Sequence, residues 1–180
     1  MENTQKDLFL LGGKLVLWFS YFKKSDRPLN DDFSNSLVKE VEFDSAEEFW
    51  GIYQYMKRPT SMQRGSDFYI FKEGIKPIWE DRENLGGGRW MISLRKEKRY
   101  EWNIIWEEAL IGFIRSCHSN KEVTGIVLSV KFNEINISIW FNKEGVKDHE
   151  SGKEFCENLT NKIEARFWTF KKFPRIDNLI

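Results

Sequence analysis

Residues 124–132 (TGIVLSVKF) and 135–141 (INISIWF) are two strand-like apolar runs separated by Asn133-Glu134. A link of two residues can only fold the chain back on itself, because a parallel crossover needs about a dozen residues. This hairpin commits the chain to antiparallel pairing, and the other segments have to fit around it. Residues 14–22 (KLVLWFSYF) read as a strand apolar on both faces, and therefore central. Residues 37–43 alternate, with Leu37, Val41 and Phe43 on one face and Glu40 and Glu42 on the other. Residues 67–72 and 89–94 read as strands flanking a long loop, and 166–171 as a last strand. Three helices separate these runs. Ser45 and Glu48 have capping-box spacing ahead of a helix that runs to about residue 57, with Ala46, Phe49, Trp50, Tyr53 and Met56 at helical spacing. Residues 100–117 carry the second helix, with Trp102, Ile105, Trp106, Ala109, Leu110 and Phe113 on its apolar side. The third spans 149–163, and Asp148 and Glu150 suit its N-terminus. The pattern predicts an α+β fold: an antiparallel sheet with the helices collected on one face, the other, concave face being left to solvent or ligand.

A chain of 180 residues fits one domain, 1–180, with residues 1–13 expected as a flexible N-terminal segment. It carries 28 basic and 28 acidic side chains. Zero net charge argues against coating nucleic acid through bulk positive charge, but leaves room for a small site that takes one charged end group. Cys117 and Cys156 make no disulfide framework, which fits a reducing compartment. The N-terminus reads as neither a signal peptide nor a membrane span, so cytoplasm, or also nucleus, is the expected location. Of the eight Trp, fifteen Phe and five Tyr most must be core, but a chain with this many Trp is still worth searching for aromatics in loops.

One such loop is FKEGIKPIWEDRENLGGGRW, residues 71–90. Trp79 lies between Pro77 and Gly86 and is followed by Glu80. An indole face stacks on a nucleobase for about 1–3 kcal/mol, and a cationic ring adds up to about 2 kcal/mol when desolvated. A carboxylate accepts two parallel hydrogen bonds, which matches the adjacent N1–H and amino donors of guanine and no such pair on adenine or cytosine. The same residues also allow a Trp79 folded back onto the sheet beside a solvated Glu80. Arg89, behind three glycines, and Lys131, on the same strand face as Val127 and Ser129, are candidates for phosphate or for plain surface charge. Trp140 reads as core by periodicity, and Trp50 as core or as part of a groove for a partner helix. Cys117-His118 lacks a third group to orient the imidazole, so no catalytic residue is assigned. Glu80, Asp81 and Glu83 form a second, metal-dependent reading as a magnesium site near phosphate.

The strings LWF (17–19), FDSAEEFW (43–50), DFYIFKEGIKPIWED (67–81), GGRW (87–90) and ISIW (137–140), in that order, resemble the eukaryotic translation initiation factor 4E family, which binds the mRNA cap. The resemblance spans roughly residues 14–142. It implies a curved antiparallel sheet with three helices on the convex face and a ligand cleft on the concave side. It also implies binding of 7-methylguanosine at the 5′ end of mRNA, no catalysis, no cofactor or metal, and a monomer with no membrane association. By position, Trp79 is one slice of an aromatic sandwich, Glu80 reads the guanine edge, and Trp140 touches the methyl group. Arg89 and Lys131 fall where the family holds the triphosphate, with Lys131 in place of the usual arginine and Asn136 in place of a lysine. The other slice, usually a Trp in the first long loop, falls on Phe33 when counted back from Phe43; Tyr21 and Phe22 finish a strand. Glu47, Trp50, Glu108 and Ile111 match a surface for a Tyr-x4-Leu-Φ helix of the scaffold factor 4G or of a repressor, whereas Glu107 and Arg115 stand where an apolar residue and a glycine are usual. The implied role is cap-dependent translation initiation. Two alternatives are a cap-binding repressor without normal scaffold binding and a magnesium-dependent cap or nucleotide hydrolase.

Overall fold

The computed structural model describes residues 8–21, 33–159 and 168–174, with the side chains of Phe33 and Asn35 outside that description. Seven strands run β1 (Leu10–Tyr21), β2 (Val38–Ser45), β3 (Ser66–Lys72), β4 (Gly88–Arg95), β5 (Val123–Val130), β6 (Glu134–Phe141) and β7 (Thr169–Lys172). They form one curved sheet in the order β2-β1-β3-β5-β6-β4-β7, and every neighbouring pair is antiparallel. Three helices, α1 (Ala46–Tyr53), α2 (Trp102–Ser116) and α3 (His149–Leu159), cover one face.

Alternation along the strands assigns each side chain to a face. Leu15, Leu17, Phe68, Ile70, Ile92, Leu94, Ile126, Leu128, Ile137 and Ile139 join the helices' Phe49, Trp106, Leu110 and Phe113 in the main core. The residues between them point the other way. Trp18, Tyr69, Phe71, Val127 and Trp140 pack with Phe173, Leu37, Ile75 and Trp79 in a second apolar cluster on the concave face.

The local signals explain the helix ends. Ser45 Oγ accepts from the Glu48 amide at 3.3 Å, the first half of a capping box, while Glu48 Oε2 accepts from the Asp44 amide at 3.0 Å, one residue before the cap. Helix α1 stops at Tyr53 rather than near residue 57, because Tyr55 and Met56 bond to carbonyls three residues back and Arg58 Nη1 occupies the Tyr53 carbonyl at 3.1 Å. Asp148 accepts from the amide and hydroxyl of Ser151 at 3.0 and 2.7 Å, capping α3 as its acidic start suggested.

Among the strand boundaries that differ from expectation, those of β1, β5 and β7 matter most here. β1 begins at Leu10, so residues 10–13 are strand; Gly12, at φ 86°, carries a register shift between Leu10 and Leu15 that lets pairing resume beyond the glycines. β5 ends at Val130, because the Lys131 amide donates to the Glu134 carbonyl at 2.9 Å and closes the hairpin there. β7 is observed at Thr169–Lys172. Residues 1–7, 22–32, 160–167 and 175–180 lie outside the described residues, and so do the expected end of the third helix and the start of the last strand.

Candidate functional site

The concave face is divided in two. One end is aromatic. Trp140 is 7% exposed, held between Phe71 at 5.3 Å in an edge-on contact and Phe173 at 4.3 Å, centroid to centroid. The other end is polar. Ser20 Oγ lies 3.1 Å from the Tyr69 hydroxyl and 3.4 Å from Asp67 Oδ2. Ser129 of β5 is in register with Asp67 of the adjacent β3, and is paired in turn with Asn136 of β6. In the orientation that satisfies both of its ends, the Asn136 amide donates to Ser93 Oγ at 2.7 Å and accepts from Lys131 Nζ at 2.6 Å.

Trp79 stands at the aromatic end, half-buried against the cluster, and Glu80 beside it is exposed. The loop between β3 and β4 is fixed from within. Asn84 is fully buried, and its Nδ2 donates to the carbonyls of Lys76 at 2.9 Å and Ile78 at 2.8 Å. The Asp81 carboxylate accepts the amides of Lys76 at 2.9 Å and Glu83 at 3.0 Å. Asp81 thus ties the loop together, and among the described residues no three His, Cys, Asp or Glu side chains are grouped to hold a metal. Gly87 is required where the loop enters β4: a Cβ there would lie 2.2 Å from the Phe141 carbonyl oxygen.

Arg89 pairs in register with Trp140 and sits on the concave face, where burial pulls its pKa down and Tyr69 and Asp67 push it back up. Desolvation raises the Asp67 pKa, against hydrogen bonds from Ser129, Tyr69 and Ser20 and the charge of Lys131. Two cations and one desolvated carboxyl therefore share the polar end. Lys131 is exposed just past the end of β5, with Glu134 Oε1 at 3.4 Å and Asn136 within bonding distance. Asn136, expected only as a missing charge, is the group that orients the remaining one. Tyr69, Phe71, Asp67 and Trp18 were not singled out from sequence. Their signal was the strand period: they are the residues of β3 and β1 that alternate with the core set.

Phe33 opens a short 3-10 turn, Phe33–Ser36, and Leu37 directly after that turn packs beside Trp18 and Trp79. The chain therefore passes the rim of the aromatic end, although the Phe33 side chain lies outside the described atoms.

On the opposite face, Trp50 is 48% exposed on α1, 5.6 Å from Tyr53 in an edge contact. The Tyr53 hydroxyl donates to Glu107 Oε2 at 3.0 Å, tying α1 to α2. Ile104, Ile111 and Arg115 are exposed on α2, and Glu108 Oε2 is buried without a hydrogen-bond partner. Glu47 Oε2 accepts the Phe9 amide at 3.0 Å, which joins the start of the described chain to this surface.

The protein-family model described as Eukaryotic initiation factor 4E matches residues 11–174. The chain belongs to this family. It is 33% identical over 151 residues to the translation initiation factor NCBP of Triticum aestivum, a match covering 83% of this chain and 62% of that protein. It is 33% identical over 126 residues to the factor 4E type 1B of Mus musculus, covering 68% of this chain and 51% of the relative. The chain thus spans less than two thirds of the length of these relatives. Among solved structures, the complex of Ascaris suum eIF4E-3 with an m2,2,7G cap superposes with a TM-score of 0.77 at 27% identity, covering 91% of each chain. The complex of C. elegans eIF4E-3 with the 4E-binding protein Mextli gives 0.78 at 22% identity, covering 91% of this chain and 93% of that one, and shares the fold. Among the described residues no helix is long and apolar enough to cross a membrane.

Proposed function

We propose that this chain binds the 7-methylguanosine cap of mRNA on its concave face and supports cap-dependent translation initiation. The observation that carries the reading is the setting of Trp79: half-buried on the concave aromatic cluster, in a loop fixed by Asn84 and Asp81, with exposed Glu80 beside it. Trp79 offers a stacking face to the positively charged base, and Phe33 is the second slice. Glu80 accepts the guanine N1–H and amino group. Trp140 walls the methyl group, and Arg89 and Lys131 take the phosphates. The chemistry asked of these residues is binding, with no bond broken. The Ascaris suum neighbour was solved with a cap, which supports the same ligand class here.

On the convex side, Trp50, Glu47, Glu108 and Ile111 form the surface for a Tyr-x4-Leu-Φ helix of a scaffold such as factor 4G. The C. elegans neighbour, solved with a 4E-binding protein, is consistent with a protein partner. We place the chain in the cytoplasm as a monomer.

Titration of tryptophan fluorescence with 7-methyl-GTP and with GTP tests the cap reading. Quenching with a clear preference for the methylated nucleotide is expected. Trp79→Ala should weaken binding between about 5- and 150-fold, the scale of one lost stacking face. Equal weak binding of both nucleotides would sink it.

A further inference from the structure

A cavity among the described residues lies away from the concave aromatic face. It has a volume of about 480 Å³ and opens where β5 and β4 end, between the 3-10 segments Pro59–Ser61 and Lys96–Glu101. Arg64, Lys96, Arg99 and Lys131 line it, with Trp102 and Phe132, and among the described residues no acidic side chain does. In a chain of zero net charge, four cations around one cavity are a local concentration of charge. Phe132 is 64% exposed, and the Arg64 guanidinium lies 4.2 Å from its ring centroid. Arg99 is fastened to the Thr60 carbonyl and lies 5.5 Å from the Trp102 ring.

Lys131 connects this cavity to the polar end of the concave face, where its amine meets Asn136. A polyanion held by Lys131 on one side has a continuous cationic path into the cavity on the other. An exposed ring beside a guanidinium suits an unpaired base, and the fixed arginines suit a backbone phosphate.

We propose that this cavity is a second RNA subsite, which holds the single-stranded nucleotides that follow the cap: Arg64, Lys96 and Arg99 take backbone phosphates and the Phe132–Arg64 shelf stacks a base. The proposal rests on the cap reading for the direction of the RNA, not for the existence of the site.

The test compares three probes by competition or fluorescence anisotropy: 7-methyl-GTP, a capped RNA hexamer labelled at its 3′ end, and the same hexamer uncapped. The variant is Arg64→Gln/Lys96→Gln. Both residues are exposed and neither belongs to the cap site, so the fold and 7-methyl-GTP affinity should be unchanged. The wild-type chain should bind the capped hexamer roughly fivefold or more tighter than 7-methyl-GTP, with a log–log salt slope steeper by about 2 for three extra phosphate contacts. The double variant should lose most of that gain and about 1.4 of that slope. A capped hexamer that binds no tighter than 7-methyl-GTP, or a gain that survives in the variant, overturns the proposal. If 7-methyl-GTP fails to bind at all, the cap reading fails and the uncapped hexamer decides the subsite: binding lost in the variant supports it, and binding absent or equal in both chains overturns it.

Discussion

The indole of Trp140 lies 4.3 Å from the phenyl ring of Phe173, centroid to centroid, with the two planes tilted by 51°. Phe173 follows β7 and is anchored by its amide to the Gly87 carbonyl at 2.9 Å. The far end of the chain therefore supports a wall whose residue comes from β6. Phe71 packs edge-on against the same indole at 5.3 Å, and Trp140 is left only 7% exposed. Phe173→Leu keeps an apolar cover and removes the ring. It should cost less than about 1.5 kcal/mol of stability while lowering the preference for 7-methyl-GTP over GTP between about two- and tenfold, the scale of one aromatic pair. Thermal melts and paired titrations measure both; a preference that stays intact would show that Phe173 does not position Trp140.

The Trp79 loop depends on a side chain that no ligand touches. Asn84→Ala removes one donor each from the carbonyls of Lys76 and Ile78, which keep the backbone amides of Ile78 and Asp81. Losing these two hydrogen bonds should destabilise the protein by about 0.5–1.5 kcal/mol per bond. Cap affinity should fall with it, because Trp79 and Glu80 lose their fixed placement. Retention of wild-type affinity in a chain with a clearly lowered Tm would separate the loop's stability from its function.

Glu107 is bonded to Tyr53 on the surface that Trp50 and Ile111 share. Docking an apolar helix there would bury a carboxylate, which costs free energy unless the Tyr53 hydroxyl alone can satisfy it. Glu107→Leu should therefore tighten a Tyr-x4-Leu-Φ peptide by about tenfold, as one buried apolar side chain contributes roughly 1.5–3 kcal/mol before the loss of the tyrosine bond. Calorimetry with such a peptide reads the change. A weaker complex would mean that the Tyr53–Glu107 tie itself shapes the docking surface.

His118 carries a pH signature. Its ring packs against Gly13, where an added Cβ would sit 2.6 Å from the imidazole. Burial, and then the nearby Lys72 charge, hold its pKa below the ordinary 6.5, opposed by a hydrogen bond to the Gly13 backbone. Lys72 is itself held by the Asn120 carbonyl at 2.8 Å, and the neighbouring Cys117 thiol is pushed up to about 12, so it stays neutral. The unfolded chain then binds the imidazole proton at a higher pH than the folded one. Stability is full above 6.5 and declines as pH falls from there toward the folded value. His118→Gln should flatten the Tm–pH curve in that window; an unchanged slope would assign it to other groups.

Much of the architecture could be read from the chain because its signals were local. The Asn133-Glu134 turn forced a hairpin, Ser45 and Glu48 marked a helix start, and Trp102, Trp106 and Phe113 recurred at helical spacing. What escaped was set by contacts distant in sequence. Residues 1–13 read as a flexible segment, yet β1 starts at Leu10 and its pairing with β2 resumes beyond Gly12 and Gly13. Asp81 looked available for a metal until Lys76 and Glu83 used its oxygens. The division of the concave face into aromatic and polar ends needed the strand order, since Ser20, Asp67, Ser129, Asn136 and Ser93 lie on five different strands. The cavity with Arg64, Lys96, Arg99 and Lys131 likewise gathers residues from separate segments, each of which reads singly as ordinary surface charge.

The hairpin of β5 and β6 is inserted between β3 and β4, two strands that precede it in the chain. The loop bearing Trp79 must therefore arch over a gap that stays empty until a later-synthesised ribbon slides into it. During synthesis on the ribosome, Trp79 and Arg89 emerge well before the strands that bring them to Trp140. A nascent or truncated chain lacking β6 would carry the most recognisable part of the family's sequence and still have no closed floor on which to seat a ligand.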